Sequence, residues 1–354
     1  MSATAAPSLP IKTIANHVVV PALIGVVMVL CYLGGFHKPD PHELAVQVVG
    51  QPAVTAPIAA GLHQKAGDHL SITTTESIDE ARDAIRNRTS SAAFVPGHDG
   101  AQLLVSTAAG DPTAVIAERL FGTAAVTIHQ PLTIVDVVPA DPNDDPSGQG
   151  MFFFLVSLTV GSYASGIAIA VAAAGRSMRF RVAFAGASAV IVASVISAIA
   201  FLGFHALPSG QWSIFGLSVV YSLAIMLAAV GLHPLIGRFT TAAMVTLFVG
   251  LNFTSSGGVF SPELQPRFFG LLHDFWIGAG LNEAGRDLSY FPWLSITGEV
   301  WKIVGWLIAA GVLVAVAAYV ERRRAITAAA AHRPEPVETP AELKAELEEE
   351  VVIA

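Results

Sequence analysis

The sequence predicts an α-helical polytopic membrane protein: six transmembrane helices, a small α/β extracytoplasmic domain between the first and second, and a re-entrant segment before the last. Three observations predict it. Six apolar stretches, 17–36, 151–174, 182–204, 212–232, 239–260 and 298–320, each reach about 20 residues, the length a helix needs to cross ~30 Å of hydrocarbon. Charged residues make up only 13% of the chain and fall almost wholly outside those stretches, whereas a soluble domain carries about 25%. A polar insert, 37–150, separates the first stretch from the second.

The elements follow in chain order. Residues 1–16 form an N-terminal segment and 17–36 the first transmembrane helix. Its charged lead is weak (Lys12, then His17) and its apolar run is longer than a signal-peptide core, so a signal anchor is expected. Cys31, the single cysteine, lies within this helix, so the insert folds without an intrachain disulfide.

Within 37–150, residues 44–49 and 69–75 read as strands and 54–66 as a helix. Ser77 with Glu80 forms a capping box that opens a helix to about Arg88, with Ile78, Ala81, Ala84 and Ile85 on its apolar face. Ala92–Val95 and Leu103–Ser106 read as strands around the turn 96–100. Asp111-Pro112 starts a further helix, and Val126–Ile128 and Ile134–Val138 are expected to complete the sheet. His37, Asp40, His42, His63 and His69 would make a metal site only if they converged, and solvated histidines are the expected outcome.

Residues 151–324 are expected to form a five-helix membrane domain with a re-entrant loop at 255–291. Small residues at helical spacing, Ser157, Gly161 and Ser165 in one helix and Ala185, Ala189, Ala193 and Ser197 in the next, suit close helix packing in lipid. Asn252 precedes Ser255-Ser256-Gly257-Gly258, which is poor helix material. Residues 268–281 are apolar but too short to cross, and polar Asn282–Asp287 follows. Non-helical backbone at this depth requires protein or a wet cavity around it, so a polar vestibule is expected here. Its substrate-pathway candidates are Asn252, Ser255, Ser256, Gly257, Gly258, Arg286 and Asp287, with Arg286 and Asp287 expected to pair. His273, Asp274 and Glu283 nearby match no nucleophile elbow, zinc motif or phosphate loop, so neither catalysis, a cofactor nor a metal is expected.

Basic residues alternate along the connections. Lys12, Arg176, Arg179, Arg181, Arg238 and Arg322–Arg324 fall on every second one, and the insert holds six basic against fourteen acidic residues. The positive-inside rule then puts both termini in the cytoplasm and 37–150 outside a cell membrane. Residues 325–354 read as an acidic cytoplasmic tail, largely disordered, although Thr339-Pro340-Ala341-Glu342 could cap a short helix.

Two stretches carry a likeness to a known family. Glu80–Pro96 looks like a helix-then-strand segment of its external domain. Ser255–Gly258 with Pro262, Phe268-Phe269, Arg286-Asp287 and Tyr290-Phe291 looks like its outer loop before the last helix. With the topology, these make the chain resemble the type-2 ABC-transporter membrane-subunit superfamily, and within it the phage-infection-protein (YhgE/Pip) group. Phe253-Thr254 and Trp276-Ile277 stand where that group often has Asn-Pro and Leu-Pro. The resemblance implies a permease subunit that exports an amphipathic or lipid-like substrate, a separate ATPase partner and a homodimer. The alternative is a non-transporting envelope protein whose external domain binds a partner or acts as a receptor. Membrane lipid is an expected partner and nucleic acid is not.

Overall fold

The computed structural model describes residues 11–331. The Thr339–Glu342 cap falls outside them. Helix α1 (Ile11–Phe36) leads into the α/β insert, formed by β1 (Leu44–Val49), α2 (Pro52–Ala66), β2 (Leu70–Thr75), α3 (Ile78–Arg86), β3 (Ala92–Val95), β4 (Ala101–Val105), α4 (Asp111–Thr127) and β5 (Leu132–Asp136). The sheet order is β2-β1-β3-β4-β5, with β3 and β4 antiparallel and the other neighbours parallel. Val126–Ile128 is therefore not a strand. Those residues finish α4, whose last turn keeps the helical bonding of Ile128 N–H to the Ala124 carbonyl.

Alternation along the strands covers both faces of the sheet. Val46, Val48, Phe94, Leu103 and Val105 pack with Ala117, Phe121 and Leu62 beneath α2 and α4. Val49, Ala93 and Leu104 pack with Ala81 and Ile85 of α3. The cap of α3 works through an extra residue. Ser77 Oγ accepts the Glu80 N–H as expected, but the Glu80 carboxylate takes the hydroxyl of Thr75.

The remainder is helical: α5 (Gly150–Ala172), α6 (Met178–Ala198) running into a π-turn at Ile199–Gly203, and α7 (Gln211–Ile236). Then come α8 (Thr240–Val245), a π-turn at Thr246–Leu251, α9 (Asn252–Thr254), α10 (Arg267–His273), α11 (Ile277–Tyr290) and α12 (Thr297–Ala331). Among the described residues four helical stretches are long and apolar enough to cross a membrane: Gly150–Ala172, Met178–Gly203, Gln211–Thr254 and Thr297–Ala330. Exposed Ile191, Leu202, Ile308, Val312 and Val316 on two of them leave an apolar surface suited to lipid, and this is a membrane protein. The apolar part of α1, Pro21–Phe36, is shorter than that length.

The third stretch has 44 residues, about 66 Å if straight and twice what a bilayer requires. It does not run straight. Gly237 adopts φ +55°, which a side chain would strain. On either side of it, Tyr221 meets Asn252 (2.9 Å) and His233 meets Thr240 (3.3 Å). Those pairings require the chain to reverse at Gly237, so α7 and α8–α9 lie antiparallel. The second arm ends at Thr254, short of the expected 260, because Ser255 leaves helical geometry.

Helix α7 is the centre of the bundle, with Tyr221, Ile225, Met226 and Ala229 fully buried. The α6 row Ala185, Ala189, Ala193 and Ser197 is buried as its spacing suggests. On α5 the row turned to α7 is Thr159, Ser162 and Gly166; of the expected Ser157–Gly161–Ser165 line, Gly161 packs on α6, where its Cβ would lie 3.0 Å from Val192 Cγ1, and Ser157 is exposed. A Cβ on Gly166 would lie 2.9 Å from Ala229 Cβ, so glycine sets the approach of α5 to α7.

Candidate functional site

The polar segment before the last helix is folded into the end of the bundle that carries the insert. Residues 268–281 are not one element. The chain breaks at Asp274–Trp276, giving the short α10 and the 14-residue α11, whose middle is buried on nearly every side. Glu283, Arg286 and Asp287 share one face of α11, as spacings of three and four residues dictate.

Arg286 and Asp287 do not pair with each other. Arg286 Nη1 donates to Glu283 Oε1 (2.8 Å) and Nη2 to the Gly257 carbonyl (3.1 Å). Asp287 Oδ1 accepts from Arg88 Nη1 (2.6 Å), and the same guanidinium reaches Glu283 Oε2 through Nη2 (2.5 Å). Arg88 belongs to the α/β insert. It follows α3 with φ +56°, its guanidinium 5.5 Å from the centre of the Phe291 ring. Two arginines and two carboxylates thus form a neutral network that fastens the insert to the bundle.

Local structure explains the reach of Arg88. Helix α3 ends at Arg86, and Asn87 N–H closes its last turn on the Asp83 carbonyl. The left-handed Arg88 then turns the chain toward β3 and projects its side chain off the end of α3. Trp293 Nε1 donates to the Arg86 carbonyl (3.3 Å) and braces the same corner.

Burial opposes charge on all four groups. It works against the Arg88 cation, but Glu283 and Asp287 more than offset it and raise its proton affinity. Burial likewise pushes Glu283 up, yet Arg286 and Arg88 outweigh that and hold the carboxyl well below the usual range. At Asp287 burial prevails over Arg88, and the carboxyl is raised. Asp145, at the start of α5, is also raised by burial while Tyr290 Oη (2.8 Å) and Gly150 N–H (2.8 Å) donate to it.

Beside the network lies a polar cavity of about 270 Å³ between the insert and the bundle. Arg88, Ser90, Ser106, Ser261, Glu283 and Arg286 are among its walls. Thr113 Oγ1 and Ser261 Oγ meet across the same junction at 3.3 Å. Of the seven pathway candidates, only Arg286 lines this cavity.

The others are placed differently. Asn252, Ser255 and Ser256 are sealed from solvent, and their side chains bond within the bundle. Ser255 Oγ returns to the Leu251 carbonyl and Ser256 Oγ to the Phe253 carbonyl. Gly257 has φ +73°, and a Cβ there would lie 2.8 Å from Glu283 Oε1; a Cβ on Gly258 would enter the Phe152 ring. The segment is therefore a tightly packed plug rather than an open vestibule.

Beneath it, Asn252 Nδ2 donates to Tyr221 Oη (2.9 Å), which shares a 2.6 Å hydrogen bond with Thr159 Oγ1. One turn further, Ser162 Oγ donates to Ser222 Oγ (3.0 Å). This buried row joins α5, α7 and α9, and the Oδ1 of Asn252 has no partner.

The histidines of the insert gather only in part. His42 and His69 rings stand 6.3 Å apart, each Nδ1 bonded to a backbone carbonyl. Among the described residues no three His, Cys, Asp or Glu side chains are arranged to hold a metal.

Arg88 and Glu283 are the members of the network that the sequence reading undervalued. One signal was available: α11 carries two carboxylates against one arginine, so a second cation had to come from elsewhere. Nothing local identified it as a residue 195 positions away. No protein-family model matches this chain, and no curated protein or solved structure matches it. The functional reading therefore rests on the geometry and on the resemblance.

Proposed function

We propose that this chain is the membrane permease subunit of an export-type transporter for an amphipathic or lipid-like substrate, working with a separate ATPase and as a homodimer. In this reading α1, α5, α6, α7, α8–α9 and α12 are six spans of the cell membrane. Both termini are cytoplasmic and the α/β insert is extracytoplasmic. The chain directions support it, because α7 runs parallel to α5 (Thr159 to Tyr221, Gly166 to Ala229) and antiparallel to the return arm α8–α9, as the second, fourth and fifth of six successive spans must. Arg181 and Arg324 also gather at one end, bonded to Glu321 and the Pro234 carbonyl.

The observation that carries the proposal is the Arg88–Glu283–Arg286–Asp287 network over the plug. A domain fastened by buried ion pairs to the helix that stops the outer end of the bundle is built to move with that helix. Release of Arg88 would free α11 and open the path above Asn252 and Tyr221. Ion pairs suit such a two-position element, since each partner can be solvated once the junction parts.

The short connection 173–177 between α5 and α6 favours the second reading, an envelope protein anchored by its bundle and acting through its external domain. Purification of the full chain in detergent separates the two. A co-purifying ATPase subunit, with ATP hydrolysis that changes in Arg88→Ala, supports the permease. Absence of any ATPase, with efflux unchanged in cells lacking the protein, overturns it. Single cysteines placed at 79–99 and 322–324 test the orientation: labelling of intact cells at the first set alone is expected.

A further inference from the structure

The α/β insert contains a second cavity, unrelated to the ion-pair network. Helices α2 and α4 lie on the same face of the sheet but stand apart over β3. Between them runs a cleft of about 480 Å³, floored by Phe94 and walled by Ile58, Leu62, Leu120, Ala124 and Ile128. This volume falls within the range of about 300–1,000 Å³ usual for small-molecule sites, and its lining is mainly apolar.

Two features show that the cleft belongs to the design of the domain. Phe94 is fully buried and stacked on Phe121 (centroids 5.3 Å apart), so the floor is rigid. Gly61 lies in the interior of α2, where glycine is about 1 kcal/mol worse than alanine. A Cβ on Gly61 would meet no atom within 4 Å. No close approach requires glycine there, and the missing side chain widens the cleft.

Apart from the hydroxyls of Thr123 and Thr127 on the α4 wall, polarity lies at its ends. The α2 lining begins at Val54, near Pro96 and Gln130, and finishes at Lys65. Lys65 is exposed, in the last turn of α2, and makes no ion pair among the described residues; it is the single cation in the lining. An apolar channel ending in one uncompensated ammonium matches a ligand with one long apolar chain and one negative charge. Lysine stems commonly lie along apolar surface while the charge stays in water.

We propose that this cleft binds a long-chain fatty acid, its hydrocarbon lying between α2 and α4 and its carboxylate at Lys65. The inference stands apart from the transport reading, because a non-transporting envelope protein would hold the same ligand in the same place.

The test uses the full chain in lipid nanodiscs, which avoids detergent competing for the cleft. The probe is a diazirine-bearing palmitic acid, with unlabelled palmitate as competitor and adducts mapped by peptide mass spectrometry. Adducts are expected within 54–65 and 120–130, and excess palmitate should remove them. Gly61→Trp, which fills the cleft where no atom stands, should reduce them at least tenfold while leaving the unfolding temperature unchanged. Ala124→Phe, from the opposite wall, should do the same if Gly61→Trp fails to fold. Lys65→Ala should weaken competition by palmitate about two- to fivefold, as befits an exposed charge pair, and leave competition by the uncharged alcohol unaltered. Adducts confined to the membrane helices would overturn the proposal. So would cleft adducts indifferent to both filling substitutions, or equal competition by alcohol and acid.

Discussion

At the end of the bundle that carries the insert, Glu283, Arg286 and Asp287 are buried, Arg88 is largely covered, and the four share every charge among themselves. At the opposite end Arg176, Arg179, Arg238 and Arg322–Arg324 stand exposed, and only Arg181 is buried, bonded to the half-exposed Glu321. The same residue types thus do different work. Exposed arginines keep their hydration and tolerate substitution. The four of the network are held by one another, because the desolvation of each is offset only while its partners stay in place. A domain junction made this way is strong when complete and fails sharply when one member is removed.

The sharpest way to break the contrast is Glu283→Ala. It leaves Arg286 and one edge of Arg88 without a carboxylate, and a loss of about 3–5 kcal/mol is expected from thermal unfolding of the purified protein. Arg88→Ala should follow at about 2–4 kcal/mol, since its guanidinium is partly exposed. Its distinctive sign is faster hydrogen exchange at both 84–91 and 283–291, because the insert loses its hold on α11. In the double variant Arg88→Ala/Asp287→Asn the loss should fall short of the sum by about 1 kcal/mol or more. Full additivity would mean that the two do not interact.

Gly278→Ala probes the packing under the network. Its Cβ would come within 2.3 Å of Asn252 Oδ1 and force that side chain off Tyr221, at an expected cost of about 1–3 kcal/mol. At the opposite end, Glu321→Gln keeps an acceptor for Arg181 and should cost about 1 kcal/mol.

Acid sharpens the same comparison. Glu283 is held below its ordinary value of 4.5, so its contribution is complete above that pH and is lost as the pH falls toward the lower folded value. Asp287 and Asp145 are raised by burial, so protonating them on the way down favours the folded form and works in the opposite direction. The unfolding temperature should therefore drop below pH 4.5 in the wild type. Glu283→Gln should remove that drop, and a profile unchanged by the substitution would exclude Glu283 as its source.

Length and hydropathy made four membrane-length helices legible, though not α1, whose apolar part is shorter, because a bilayer imposes a long run of apolar residues. Alternation likewise revealed β2, an edge strand that turns Leu70 and Ile72 inward and leaves Ser71 and Thr73 exposed, whereas β1 and β3, covered on both faces, read as apolar runs. Val126–Ile128 misled for a related reason: three apolar residues suit a strand or a helix end equally, and only the continuing bond from Ile128 to Ala124 distinguishes them. The small-residue line of α5 marked Gly161, which meets Val192 of α6, but missed the row turned to α7. Glycine and serine spacing gives a face, but only the partner helix shows which face is turned inward.

Of the Arg88–Glu283–Arg286–Asp287 network, the sequence marked the α11 segment but not the partners of its charges. The glycines and serines of 255–258 cannot continue a helix, and the polar cluster in α11 cannot sit in hydrocarbon alone; both are local facts. The sequence by itself determined that this is a membrane protein with a folded polar insert. The tertiary structure decided that Arg88 answers the charge of α11, that Gly237 folds a 44-residue apolar stretch back on itself, and that α2 and α4 leave a cleft over Phe94. Burial of an apolar run is a property of the run, whereas pairing of a buried charge depends on a distant residue arriving at hydrogen-bonding distance.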